Sequence, residues 1–70
     1  MNRKPVESSN IRSVGHDRKS TLEIEFHNGR VYQYFDVPLG VYQMLLTPPE
    51  GSVGKCFNQH VKGHYRYVRL

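Results

Sequence analysis

The sequence predicts an α+β fold, in which a small antiparallel sheet of three or four strands carries two short helices packed on one face. Residues 21–27 alternate strictly between apolar and polar side chains, and a second β-prone run at 30–35 follows Asn28-Gly29, as in a β-hairpin. Residues 38–46 and 53–61 instead repeat apolar side chains every three or four positions, as amphipathic helices do. Strands followed by helices indicate an α+β protein.

The hairpin also predicts which side chains face the core. A two-residue type I′ turn at Asn28-Gly29 would place Phe26 opposite Val31 and Ile24 opposite Gln33, and opposed residues share a face. The core face would then carry Leu22, Ile24, Phe26, Val31 and Phe35. The opposite face would carry two acids beside two aromatic residues, namely Glu23, Glu25, Tyr32 and Tyr34.

The remaining elements are bounded by turn and capping residues. Ile11–His16 is predicted to be a first strand that ends in a polar turn. Pro38 suits the first position of a helix that Thr47-Pro48-Pro49 would end. After a loop, Ser52 can cap a second helix, and Gly63 would stop it. The tail beyond Gly63 is predicted to add an edge strand or to lie extended on the body.

The length of 70 residues predicts one domain over residues 1–70, with residues 1–8 flexible because they are polar and lack a sustained period. A single cysteine, Cys56, excludes an intramolecular disulfide, so self-association could help to stabilise so small a core. No apolar run approaches the roughly 20 residues of a membrane span, and residues 1–5 are not followed by a secretory signal. We therefore expect a cytoplasmic protein with no membrane partner.

The net charge of +4 is concentrated at the two ends of the chain. Five basic residues stand against two acids in residues 1–19, one against four in residues 20–54, and four against none in residues 55–70. This asymmetry favours an anionic partner such as RNA or another nucleic acid. Basic charge also keeps small proteins soluble, so the charge alone does not identify the partner.

Several short motifs occur in a fixed order along the chain. They are Ser8-Ser9-Asn10-Ile11, Thr21-Leu22-Glu23-Ile24-Glu25-Phe26, Gly29, Val31-Tyr32-Gln33-Tyr34, Val37-Pro38, Val41-Tyr42, Gly54-Lys55 and Phe57-Asn58. Together they resemble the KTSC domain, which occurs at the C-terminus of some lysyl-tRNA synthetases and as a free-standing bacterial or phage protein. The resemblance runs from about Val6 to Tyr67, essentially the whole chain, and its most typical element is Tyr-x-Tyr followed by Val-Pro.

The resemblance implies a small domain whose molecular function is not established, with RNA binding suggested by the synthetase context. Two positions depart from the family pattern. His16 stands where the family often has Tyr, and Cys56 stands where it often has Tyr or another aromatic residue. Both departures raise the question of whether aromatic surface or packing is lost there.

The candidate RNA-binding residues are cations and tyrosines. Tyrosines on an open sheet face could stack unpaired bases, at roughly 1–3 kcal/mol per base, and the basic third of the chain could contact phosphates without reading sequence. The candidates are Arg12, Tyr32, Tyr34, Lys55, Lys62, Tyr65, Arg66 and Arg69. The alternative is structural: the tyrosines pack under the tail or a partner, their acidic neighbours repel phosphates, and the cations form a solvated face.

Other classes of function are less favoured. Cys56, His60 and His64 are spaced four residues apart, but Gly63 should end the helix before His64, so we predict no metal and no cofactor. The chain has no phosphate-cradling glycine loop and no nucleophile elbow, so we predict that it is not an enzyme. The main alternative to RNA binding is a protein-interaction or homodimerisation module, acting through the tyrosine face or an exposed sheet edge.

Overall fold

The computed structural model, which describes residues 2–48 and 51–70, contains a five-stranded antiparallel sheet with two helices packed on one face. The elements are β1 (Lys4–Pro5), β2 (Ile11–His16), β3 (Leu22–Phe26), β4 (Val31–Tyr34), α1 (Leu39–Leu46), α2 (Val53–His60) and β5 (Tyr67–Arg69). The strands lie in chain order, so β1 and β5 are the two edges of the sheet. The α+β prediction is confirmed. The predicted count of three or four strands was too low, because β1 is only two residues long and shows no period; β5 is the edge strand that was one of the two alternatives for the tail.

The predicted β-hairpin is present, but its turn is one residue longer than Asn28-Gly29. The turn comprises residues 27–29: the Phe26 N–H donates to the Arg30 carbonyl at 2.9 Å, and the Gly29 N–H donates to the Phe26 carbonyl at 3.0 Å. Gly29 has a φ of 88°, in the left-handed region that three-residue hairpin loops require at this position. The two-residue turn expected from Asn28-Gly29 is therefore wrong.

The longer turn shifts the register of the hairpin by one residue. Ile24 lies opposite Tyr32 and Leu22 lies opposite Tyr34. Because side chains alternate along a strand, this shift exchanges the two faces of β4. Both tyrosines consequently lie on the core face, and their predicted position beside the two acids of β3 is wrong.

The same shift removes two predicted residues from the core. Val31 lies opposite Glu25 on the other face of the sheet. Phe35 is half-buried just beyond β4, and neither Val31 nor Phe35 belongs to the hydrophobic core. The predicted core positions on β3, by contrast, keep their face: Leu22 and Ile24 are fully buried, and Phe26 packs against the core.

A β-bulge in β2 aligns the first strand with the core. Ile11 pairs with Phe26 and Ser13 pairs with Glu25, so Arg12 is the extra residue of the bulge. The bulge lets Ile11 and Val14 both point into the core, although an unbroken strand would place residues three apart on opposite faces.

The helices complete the core as their patterns predict. Ser52 caps α2 by accepting a hydrogen bond from the Lys55 N–H at 3.2 Å, which confirms the predicted N-cap. The predicted apolar stripe Val53, Cys56, Phe57 and Val61 is buried. Pro38 is the N-cap of α1 rather than its first helical residue. The helix α1 ends at Leu46, with Thr47 as its C-cap, in agreement with the predicted stop at Thr47-Pro48-Pro49. Pro49 and Glu50, in the predicted stop and the loop after it, lie outside the described residues.

The two residues that depart from the family pattern, His16 and Cys56, are both buried. His16 is buried, and its ring stacks on Tyr42 with the centroids 5.7 Å apart. Its Nδ1 accepts the Arg18 N–H and its Nε2 donates to the Val37 carbonyl, each at 2.8 Å, so both ring nitrogens have partners. Cys56 is buried in the core.

A polar network covers the face of the sheet opposite the helices. Arg3 contacts Glu23 at 2.7 Å, Gln33 donates to the same carboxylate at 3.0 Å, and Ser13 donates to Glu25 at 2.9 Å. Glu23 is only 8% exposed, so these partners offset the cost of burying its charge. Residues 2–8, for which the sequence predicts flexibility, thus supply both a short strand and the cation of this network.

Gly15 should be required for the docking of the N-terminal segment. A Cβ at Gly15 would lie 2.8 Å from the Asn2 carbonyl oxygen, whereas a Cβ at Gly40 would meet nothing within 4 Å. We expect Gly15→Ala to lower the free energy of unfolding by about 1–3 kcal/mol in urea titrations, and the matched control Gly40→Ala to raise it by up to about 1 kcal/mol. If Gly15→Ala left the free energy of unfolding unchanged, we would conclude that residues 2–5 do not pack against Gly15.

Candidate nucleic-acid interface

A groove of about 670 Å³ opens between α2 and the tyrosine-bearing face of the sheet. Aromatic side chains line its base, and polar side chains from the loops and α2 surround them. The aromatic residues are Phe26, Tyr32, Tyr34, Phe57 and Tyr67. The groove brings together residues from β3, β4, α2 and β5, which are far apart in the sequence.

The aromatic rings form one connected cluster. The Tyr32 ring lies 5.5 Å from Phe26 and 5.6 Å from Tyr67, measured between centroids. Tyr34 lies edge-on to Phe57 of α2 at 5.6 Å and is only 5% exposed. Tyr67 is 58% exposed and Tyr32 is half-buried, so these two rings, not Tyr34, offer aromatic surface to a ligand.

The charges around the groove are positive. Arg30 and Lys62 line it, and none of the described lining residues is a carboxylate. Arg69 lies opposite Tyr32 across β4 and β5, so it shares the same face of the sheet. The acids expected to repel phosphates, Glu23 and Glu25, belong to the opposite face. The register correction therefore removes the main electrostatic objection to a nucleic-acid ligand.

Two side-chain amides add hydrogen-bonding capacity. Asn10 and Asn58 line the groove, and within the described residues neither side-chain amide bonds to another protein group. An amide offers both donors and an acceptor, which suits the edges of unpaired bases and the 2′-hydroxyl of RNA. The groove thus combines aromatic surface, cations and amides.

Comparison with known proteins identifies the family. The model of the KTSC domain matches residues 7–65. The chain belongs to the KTSC domain family. This confirms the resemblance that the sequence motifs indicate, over nearly the predicted extent.

Individual relatives agree with this assignment. An uncharacterised protein of Stutzerimonas stutzeri (strain A1501) is 44% identical over 72 aligned positions, covering 100% of this chain and 99% of that protein. A lysine–tRNA ligase of Nostoc punctiforme is 40% identical over 65 positions, covering 91% of this chain but only 11% of the ligase. The crystal structure of a KTSC domain protein from Yersinia pestis matches with a TM-score of 0.87 at 35% identity, covering 99% and 96% of the two chains.

Four of the eight candidate residues predicted from the sequence belong to the groove face of this KTSC domain. Tyr32, Tyr34 and Lys62 line the groove, and Arg69 lies beside it on β5. Because Tyr34 is covered by Phe57, it forms part of the floor and has no exposed ring face on which a base could stack.

The other four candidates do not line the groove. Arg12 is exposed at the bulge of β2, and Lys55 is exposed on α2. Tyr65 is half-buried and packs against the hydrophobic core. Arg66 lies 3.6 Å from the Asp36 carboxylate, which partly neutralises it.

The sequence prediction missed several groove residues, chiefly Arg30, Asn10, Asn58 and Tyr67. Arg30 precedes Tyr32 by two positions, so the alternation of a strand would have placed it on the tyrosine face with either turn length. Tyr67 could have been found from the alternation of the tail, because pairing with β4 places it opposite Tyr34. The two asparagines carry no sequence signal, since they reach the groove only through the packing of α2 and the loop before β2.

The described residues include neither a cluster of metal-ligating side chains nor a helix that could span a membrane. Within residues 2–48 and 51–70, no three His, Cys, Asp or Glu side chains lie close enough to hold a metal ion. Cys56 is buried, whereas His60 and His64 are exposed. Neither α1 nor α2 has the length and apolar character needed to cross a bilayer.

The burial of Tyr34 has a measurable consequence at high pH. Burial, with smaller effects from Tyr67 and Tyr32, raises its pKa from 10.0 to about 12. Because the folded state holds the phenol proton more tightly than the unfolded state, the resulting stabilisation is complete below about pH 10 and is lost between about pH 10 and 12.

We expect the phenolate absorbance of the wild-type protein to include a late transition near pH 12 that is absent from Tyr34→Phe. Circular dichroism at each pH would confirm that both proteins are still folded. If the wild-type and Tyr34→Phe curves differed only by a transition near about pH 10, as for an exposed tyrosine, the burial of Tyr34 would be contradicted.

Proposed function

We propose that this KTSC domain is a non-catalytic module that binds single-stranded RNA in the groove between α2 and the tyrosine face. The observation that carries the proposal is the combination of accessible Tyr32 and Tyr67 rings with Arg30 and Lys62, in a groove whose described lining has no carboxylate. Aromatic rings beside cations are the common means of binding single strands.

Each part of the groove has a role in this proposal. Bases stack on Tyr32 and Tyr67, at roughly 1–3 kcal/mol per base. Arg30, Lys62 and Arg69 attract phosphates, which gives affinity without sequence preference. An unpaired strand suits the groove better than a duplex, because stacking on protein rings requires bases that are free of their own stack.

Two further observations support the proposal. Part of a lysine–tRNA ligase matches this chain, and the name of that protein includes tRNA. The described lining of the groove contains neither carboxylate nor thiol, and the Nε2–H of His27 is engaged as a donor to the Ser8 carbonyl at 2.8 Å. Binding is therefore favoured over catalysis.

A titration of isotope-labelled protein with a mixed pool of single-stranded RNA tests the proposal. Amide shifts should cluster on β4, β5 and the part of α2 that lines the groove. With three phosphate contacts, affinity should fall roughly 20-fold between about 50 and 200 mM salt. An absence of shifts at the lower salt concentration would exclude RNA binding and direct attention to protein partners.

A matched pair of charge reversals tests the location of the site. Lys62 lines the groove, whereas Lys19 is exposed in the turn between β2 and β3 and is not among the lining residues. Lys62→Glu should weaken RNA binding by about tenfold or more, and Lys19→Glu should weaken it much less, although both change the net charge equally. Equal losses would show that affinity follows the net charge and would contradict binding in the groove.

A further inference from the structure

The two edges of the sheet differ in how they are protected. The β1 edge is only Lys4–Pro5, and Pro5 has no N–H to donate. The β5 edge is exposed throughout. Among the described residues, the exposed large apolar side chains all belong to this edge: Tyr67 at 58%, Val68 at 43% and Leu70 at 66%. Proteins normally blunt such an edge, so β5 has the properties of a pairing surface.

The backbone of β5 directs alternate residues outward. The Arg66 carbonyl accepts from the Phe35 N–H at 2.9 Å, and the Leu70 N–H donates to the Val31 carbonyl at 2.8 Å. Backbone groups alternate in direction along an antiparallel strand. The N–H and C=O groups of Tyr67 and Arg69 therefore point away from β4, towards the open edge.

We propose that β5 pairs in antiparallel fashion with β5 of a second copy of this chain, about a twofold axis at Val68. In this register Tyr67 lies opposite Arg69 of the second copy, and the twofold axis repeats that pair with the two copies exchanged. In a hydrogen-bonded antiparallel pair, each residue donates its N–H to the carbonyl of the other. All the outward backbone groups of Tyr67 and Arg69 are therefore paired in this register. The dimer would contain one continuous sheet of two such five-stranded units.

The side chains also match in this register. Each Arg69 guanidinium would lie beside a Tyr67 ring, which favours a cation–π contact. Val68 would meet Val68 of the second copy on the other face, as a close pair without backbone hydrogen bonds. A twofold axis at Arg69 would instead place two guanidinium groups opposite each other, and an axis at Tyr67 would pair Arg69 with Tyr65, which lies outside the strand. The register centred on Val68 is therefore the self-complementary one.

The twofold position of Val68 allows a charge-pair test. Sedimentation equilibrium of the wild-type protein without nucleic acid should show reversible dimers between micromolar and millimolar concentrations. Val68→Lys and Val68→Glu should each dimerise at least about tenfold more weakly, because like charges meet at the axis. An equimolar mixture of the two variants should recover the dimer. Only pairing of residue 68 with itself predicts this recovery.

Controls make the outcome decisive. Gln59→Lys and Gln59→Glu, on the exposed face of α2, carry the same charges away from β5 and should dimerise like the wild type. Circular dichroism would show that the Val68 variants are folded. If the Val68 variants are unfolded, a synthetic chain with a methyl group on the backbone nitrogen of Arg69 replaces them. The methyl group removes one outward N–H, so this chain should be monomeric. A wild-type protein that is monomeric at millimolar concentration, or a mixture that stays monomeric, would overturn the proposal.

Discussion

The three-residue turn at 27–29 determines the register on which the rest of the structure depends. Gly29 in the left-handed region closes this turn, and the pairing that follows places Tyr32 opposite Ile24. A turn shorter by one residue would move every side chain of β4 to the opposite face. The tyrosine face, the groove above it and the separation of acids from cations all follow from this local geometry.

The register divides the sheet into two faces with different electrostatics. On one face, the two carboxylates of β3 accept hydrogen bonds from Arg3, Ser13 and Gln33, so they are engaged within the fold. On the other face, aromatic rings connect the sheet to α2, and the cations beside them have no carboxylate neighbour among the described groove residues. This separation allows a protein with a modest net charge to present a locally positive aromatic groove. It also leaves β5, at the open end of that face, as the strand available for pairing.

How well the sequence predicted each element depended on whether its signal was local. The elements β3 and α2 were predicted correctly, because strict alternation and a capping serine followed by an apolar stripe are local patterns. The edge strands β1 and β5 were not counted reliably, because a strand of two or three residues is stabilised by its partner rather than by its own sequence. Of the groove, the sequence identified Tyr32 and Lys62 but not Asn58, which contributes only once α2 lies over β4.

The sequence by itself determined the fold class, the family, the positions of the main elements and the excess of basic charge at both ends. These properties depend on residue type and on spacing over a few positions. The tertiary structure alone decided which face the tyrosines occupy, which cations stand beside them and which sheet edge is left open. The reason is that Asn28-Gly29 suits turns of either two or three residues, and a difference of one residue reverses the orientation of an entire strand. In the folded domain, apolar side chains from β2, β3 and α2 pack against Tyr34, an arrangement that only the three-residue turn permits.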